Sequence, residues 1–308
     1  MTMRKEAYAA AVTPLKSGGR EIDRAAIPEF VTFLAEAGLD GVMVTGTAGE
    51  GLLLSGAERR QVVEDFIAAS PPGFRTLVQC GAQTTAESTG LARHAARAGA
   101  AGVLAICPSY FPLDATAQQA FLGAVATACA PVSFGVYEFA HASGYPIAHD
   151  VIEALSAQHA NFELIKISDA PWERFSPYLD HGLRAFCGPE GMIGPALEAG
   201  AVGVISALAA ALPRELLRAV HERDEGALSL AKALRATIDR FPRQAALKAI
   251  LRHRGLPIEL DVRPPLRSLS PHEHRALING LDEELDAGWR GPRPSSPSHE
   301  ERVSELPL

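Results

Sequence analysis

The stretch AEAGLDGVMV, residues 35–44, ends a helical pattern at Gly38 and enters an apolar run three residues later. The same figure returns as ARAGAAGVLA at 96–105 and as LEAGAVGVIS at 197–206. Helix end, glycine, strand, three times over, is the signature of helix-to-strand joins in α/β units. Glycine suits each helix end because a left-handed cap costs it no Cβ clash.

Outward from these joins, apolar runs recur along the chain. They predict strands at Ala7–Val12, Gly41–Thr45, Thr76–Cys80, Gly102–Cys107, Val132–Tyr137, Glu163–Ile167, Arg184–Cys187 and Gly203–Ser206. Each run is nearly continuous, as strands covered on both faces of a parallel sheet should be. Helical stripes lie between them, such as Ile27, Phe30, Val31, Phe33 and Leu34, or Val62, Val63, Phe66 and Ile67. Ser55-x-x-Glu58 and Thr84-x-x-Glu87 read as capping boxes. Eight strands with intervening helices over about 220 residues predict an α/β fold of the (β/α)8 TIM-barrel type. A doubly wound sheet is the alternative. Its first turn would be rich in glycine, where this chain has Thr13-Pro14-Leu15.

Beyond residue 224 the strand runs stop. Glu225–Arg240, Arg243–Arg254 and Pro271–Ala287 predict appended C-terminal helices. The expected organisation is therefore a barrel over 1–224 and a helical extension over 225–290. The polar, Pro/Ser-rich 291–308 reads as a disordered tail.

The 308 residues are 47% hydrophobic and 21% charged, enough for a large core without covalent staples. A net charge of −7 argues against nucleic-acid or anionic-membrane partners, which need a basic face. Cys80, Cys107, Cys129 and Cys187 form no CxxC pair. They read as small buried hydrophobes of a reducing, cytoplasmic compartment rather than zinc ligands. The start MTMRKEAYAAAVTPL lacks a signal peptide's apolar run. No run approaches the ~20 apolar residues of a membrane helix.

In a barrel, chemistry sits at the C-terminal ends of the strands. Lys166 is the sharpest candidate. The chain has five lysines, and this one lies inside the strand ELIKIS. Burial disfavours the ammonium and leaves an amine able to attack a carbonyl. A structural ion pair with a neighbouring carboxylate is the bland alternative. Tyr137 ends the fifth strand, where a phenol near the amine can shuttle protons. It reads equally as a half-buried tyrosine with a satisfied hydroxyl. The turn TGTAGEG, 45–51, offers Gly46, Thr47 and Ala48, whose successive amides can cradle a carboxylate. Tyr110 follows the fourth strand, and His141 lies four residues past Tyr137. Such a histidine is more often a surface residue. The strand ends show no His/Asp/Glu ligand set, so no metal site is expected.

GTAGE after the second strand, Tyr110 after the fourth, Tyr137 ending the fifth and Lys166 within the sixth together resemble the dihydrodipicolinate synthase/N-acetylneuraminate lyase family. The stretch FPRQAALKAILRHRGLPIELDVRPPLRSL, 241–269, is similar to that family's C-terminal region. The resemblance spans roughly residues 5–285. It implies a (β/α)8 barrel with C-terminal helices, assembled as a homotetramer or dimer. It implies a class I aldolase in which Lys166 forms an imine with pyruvate or another 2-keto acid, an aldehyde being the second reactant. No cofactor beyond that covalent imine is implied. Tyr137 would be the general acid/base. Thr47 and a neighbouring subunit's Tyr110 would complete its hydroxyl relay. The Thr47 and Ala48 amides would hold the substrate carboxylate.

The departures bear on the substrate. Ala48 stands where a second motif hydroxyl is usual. Ala142 stands where the synthases carry an arginine for the second substrate's carboxylate. That loss of a bidentate clamp argues against a dihydrodipicolinate synthase proper. The sialic-acid lyases' strand-seven Gly-x-Asp-Glu reads here Gly188-Pro189-Glu190-Gly191, and their strand-eight serine falls on Ala207. The expected second-substrate pocket is lined by Phe139, His141, Glu190 and Met192, with Ser206 at the eighth strand end. It is less cationic and more apolar than theirs. The leading expectation is a lyase or synthase making or cleaving a pyruvate-derived 2-keto acid. A 2-keto-3-deoxy sugar acid dehydratase or hydratase-aldolase would use the same imine. A non-catalytic 2-keto-acid-binding homologue is a further alternative.

Overall fold

The computed structural model describes residues 4–288; the tail expected over 291–308 lies outside them. β1 (Glu6–Ala10) leads into a small antiparallel hairpin, β2 (Leu15–Lys16) and β3 (Glu21–Ile22). Then follow β4 (Gly41–Val44), β5 (Arg75–Gln79), β6 (Gly102–Ala105), β7 (Phe134–Glu138), β8 (Phe162–Ile167), β9 (Arg184–Cys187) and β10 (Gly203–Ser206). β1 and β4–β10 close into one parallel barrel, each strand pairing with the next in sequence and β10 returning to β1. This is the (β/α)8 TIM barrel that the eight apolar runs predict. The hairpin was not among the expected strands.

The local signals act as expected. Gly38, Gly99 and Gly200 all take positive φ, from 95° to 106°, where the three joins turn from helix to strand. Ser55 and Glu58 form the full reciprocal capping box at the start of helix Gly56–Ala69. Thr84 caps the Glu87 amide at 3.2 Å, which is one half of the box expected there. The barrel strands are buried but for charged residues at their starts, with Val42, Met43, Val103, Leu104 and Ile165 fully enclosed. At the N-terminal end of the barrel Glu6 takes Arg75 on one carboxylate oxygen and Arg184 on the other, tying β1 to β5 and β9. That leaves the opposite end for chemistry.

Helices Glu225–Asp239, Arg243–His253 and Pro271–Gly288 follow the barrel. The first two reach back to its C-terminal rim. Arg235 bonds Glu190 at 2.7 Å, Lys248 bonds Glu50 at 2.6 Å, and Gln244 donates to the Thr47 carbonyl at 3.2 Å. Among the described residues no helix is long and apolar enough to cross a membrane.

Candidate active site

Tyr137 and Lys166 are register partners on the adjacent strands β7 and β8. Side chains alternate along a strand, so partners in register share one face. That face looks into the barrel mouth. Tyr137 Oη meets Thr47 Oγ1 at 3.4 Å, and Thr47 belongs to the turn after β4, which is no neighbour of β7. The contact therefore crosses the mouth. Lys166 Nζ lies over the Tyr137 ring, 4.2 Å from its centroid, and both residues are buried. Burial alone would raise the Tyr137 phenol. The Lys166 charge, with hydrogen bonds to Thr47, Ser168 and Lys166, outweighs burial and holds the phenol below its usual range. Phe139 stacks on Tyr137 at 5.9 Å and 18°, and His141 leans on Phe139 at 6.0 Å from the exposed side.

The turn that carries Thr47 is strained and firmly held. Thr45 and Glu50 flank it at φ of 55° and 57°, a region uncommon for any residue but glycine and an outlier for a β-branched one. Thr45 Oγ1 is fixed to the Gln79 carbonyl at 2.7 Å. Gly51 is required because a Cβ there would sit 1.8 Å from the Thr45 carbonyl oxygen. Glu50 is fully buried. One of its oxygens takes Lys248 Nζ at 2.6 Å and the other the Arg263 amide at 2.6 Å. Burial pulls the Lys248 ammonium down, and Glu50 pulls it back up. Among the described residues the Thr47 and Ala48 amides have no protein acceptor. Two successive free donors at a barrel mouth make a site for an anionic oxygen pair.

The sequence-predicted residues divide into three groups. Lys166, Tyr137, Thr47, Gly46, Ala48 and Phe139 come together at the mouth, with His141 at its edge. Tyr110 does not reach Tyr137 within the chain. It is 87% exposed, at φ 77°, with its ring edge-on to Phe111, itself 72% exposed. Glu190 and Ser206 meet each other rather than open space. Ser206 Oγ donates to Glu190 Oε1 at 2.5 Å and accepts the Leu208 and Ala209 amides, while Arg235 takes Glu190 Oε2. Every oxygen of that pair has a protein partner, so its visible work is to anchor the helix Glu225–Asp239.

The sequence assigns no role to four residues near the mouth, although Ser168 stands with Lys166 at the same strand end. Ser168 shares the face of Lys166 two residues on and helps to hold the Tyr137 phenol low; a Cβ on Gly188 would collide with its hydroxyl. Gln244 touches the Thr47 carbonyl. Glu138 and Asp169 are buried carboxyls beside the β7 and β8 ends. Period-two alternation from Lys166 was a usable signal for Ser168; Gln244 had none, because its partner is about 200 residues away.

Comparison with known proteins bears on the family and the fold. The model of the dihydrodipicolinate synthetase family matches residues 3–283. An uncharacterised DapA-like lyase of Chloroflexus aurantiacus is 32% identical, over 87% of this chain and 93% of its own. The N-acetylneuraminate lyase of Gallus gallus is 35% identical over 55% of this chain and 57% of its own. A crystal structure of a dihydrodipicolinate synthase superposes with a TM-score of 0.84 at 23% identity, covering 91% of this chain and 98% of that one; it bears on the fold alone. With a family match across nearly the whole barrel and its C-terminal helices, the chain belongs to the dihydrodipicolinate synthetase family.

Proposed function

We propose that this protein is a lyase of the class I aldolase type, making or cleaving a pyruvate-derived 2-keto acid through an imine on Lys166. One observation carries the reading: the buried Lys166 Nζ over the ring of Tyr137, whose phenol is held low and reaches Thr47. The free Thr47 and Ala48 amides supply the place for the 2-keto acid's carboxylate.

The steps follow from that placement. The Lys166 amine attacks the keto carbon. Tyr137 gives its proton to the carbinolamine oxygen, water leaves, and an iminium forms. The iminium accepts the electron pair of the C3–C4 bond when the Tyr137 phenolate takes the 4-hydroxyl proton, which releases an aldehyde and leaves an enamine. Protonation at C3 and hydrolysis return pyruvate and the free amine. Synthesis is the reverse. Ala142 has no side chain with which to clamp a carboxylate, and Phe139 is stacked at the mouth. Both favour an uncharged or less polar aldehyde over a second carboxylate-bearing substrate.

The test is a borohydride trap with pyruvate, followed by digestion and mass spectrometry. The expected product is a reduced adduct on the peptide containing Lys166, absent from Lys166→Ala. An adduct with a larger 2-keto acid but none with pyruvate would move the reading to dehydratase chemistry. No adduct with either would overturn it.

A further inference from the structure

Two buried carboxyls stand beside the site and take no part in the steps above. Glu138 follows Tyr137 on β7, so alternation turns its side chain to the opposite face, away from the mouth. It is 1% exposed, and Asp169, just past the end of β8, is 5% exposed. Between them they hold the segment 139–147. Asp169 Oδ2 accepts the Ala140 amide at 2.6 Å and its Oδ1 the His141 amide at 3.2 Å. Glu138 Oε2 accepts the Ile147 amide at 2.8 Å. Both ends of the segment bearing Phe139 and His141 are thus pinned by carboxylate oxygens.

Glu138 Oε1 is buried with no donor. The titratable groups facing this carboxyl are Asp169, Tyr178, whose hydroxyl donates to the Ile147 carbonyl at 2.8 Å, and the Cys107 thiol just past the end of β6. His141 lies on the pinned segment, and His149 stacks on Tyr178. Asp169, Tyr178 and Cys107 include no cation. Two buried carboxylates side by side without a counter-charge are costly, and a buried acceptor without a donor adds to that cost. One proton removes both costs.

We propose that Glu138 keeps its proton at neutral pH and donates it in a hydrogen bond to Asp169, and that this carboxyl pair positions the 139–147 segment and with it Phe139 and His141. Glu138 is then a positioning residue for the second-substrate side of the mouth; that consequence rests on the function proposed above, whereas the pairing does not. In support, the Glu138 carboxyl is pushed up to about 8, by burial first and then by Asp169.

The sign of the pH effect follows from proton counting. The closed segment keeps the Glu138 proton up to about pH 8; an opened one releases it in the ordinary glutamate range. From about pH 5 to 8 the closed form binds one proton more than the open form. Closure therefore weakens about tenfold per pH unit over that window and levels off above it.

Hydrogen exchange at the Ala140, His141 and Ile147 amides, corrected for intrinsic rates, reads this directly. Protection should fall about tenfold per unit to about pH 8 and then flatten. In Glu138→Gln, whose amide can donate to Asp169 at any pH, the profile should be flat. In His141→Gln the slope should stay. A flat wild-type profile, or the wild-type slope in Glu138→Gln, would overturn the proposal. If Glu138→Gln does not fold, infrared spectra of the wild type decide. A protonated-carboxyl C=O band at neutral pH that disappears above about pH 9 supports the pair, and its absence at neutral pH overturns it. A protein showing the exchange slope but no lysine adduct would overturn the functional reading and leave the pair standing.

Discussion

Tyr137 is where the electrostatics of the mouth converge. Its phenol is depressed because Lys166 charge and three hydrogen-bonding neighbours outweigh burial. Removing the hydroxyl keeps the ring under Lys166 and removes the proton donor of the mechanism proposed above. Tyr137→Phe should therefore fold normally and lose about 10²–10⁴-fold in kcat, with the lysine adduct still trapped on long incubation. Steady-state rates with the adduct yield alongside would check both halves. Lys166→Ala should lose the adduct entirely. These two residues were legible because they are unusual where they stand: a lysine inside a strand, a tyrosine at a strand end. The same signal was present at Lys248, in AALKAIL, and there the bland reading holds, since Lys248 is spent on Glu50. A buried lysine announces that it has a purpose; whether the purpose is chemical or structural depends on what faces it. Glu190 and Ser206 illustrate the same limit. Their positions at strand ends were readable, but their partner Arg235 comes from a helix whose docking no local pattern encodes.

At the scale of elements, the helix-to-strand joins and the apolar runs fixed the barrel strands to within a few residues, because parallel strands buried on both faces leave an uninterrupted apolar record. The hairpin β2–β3 escaped because two-residue strands carry too little pattern. The helix Arg243–His253 was legible as a helix. Its work was not, since that work is a buried pair between Lys248 and Glu50 across about 200 residues. Glu50 also takes the Arg263 amide, so one carboxylate ties the strained TGTAGE turn to two parts of the C-terminal region. Lys248→Ala would leave Glu50 buried without its counter-charge. We expect a loss of about 3–5 kcal/mol in urea unfolding, and a fall in pyruvate adduct formation if the turn relaxes. By contrast Ser55→Ala, which removes an exposed helix cap, should cost about 1 kcal/mol and leave adduct formation unchanged.

At the scale of the whole molecule, the rim carries an exposed aromatic pair. Tyr110 and Phe111 stand out from the rim at 87% and 72% exposure, beside a depression of about 430 Å³ lined in part by Gln83, Pro108, Leu113 and Phe121. Two adjacent aromatic side chains in water are poor stabilisers, and apolar projections next to apolar hollows are the raw material of an interface between copies. Tyr137 has Thr47 on one side within the chain, while Tyr110, the second hydroxyl that the family resemblance assigns to the relay, is turned outward. A second copy seated on this face would bury Phe111 and could bring its own Tyr110 to the mouth. Phe111→Glu places a charge at the centre of that contact. We expect it to sediment as a monomer where the wild type sediments as a dimer or larger, to keep its circular dichroism, and to lose turnover. Tyr110→Phe should keep the assembly and lose turnover by at least about tenfold, as a missing proton-relay hydroxyl would. A wild type that is active and monomeric at assay concentration would remove Tyr110 from the mechanism and leave Tyr137, Thr47 and Ser168 as a relay complete within one chain.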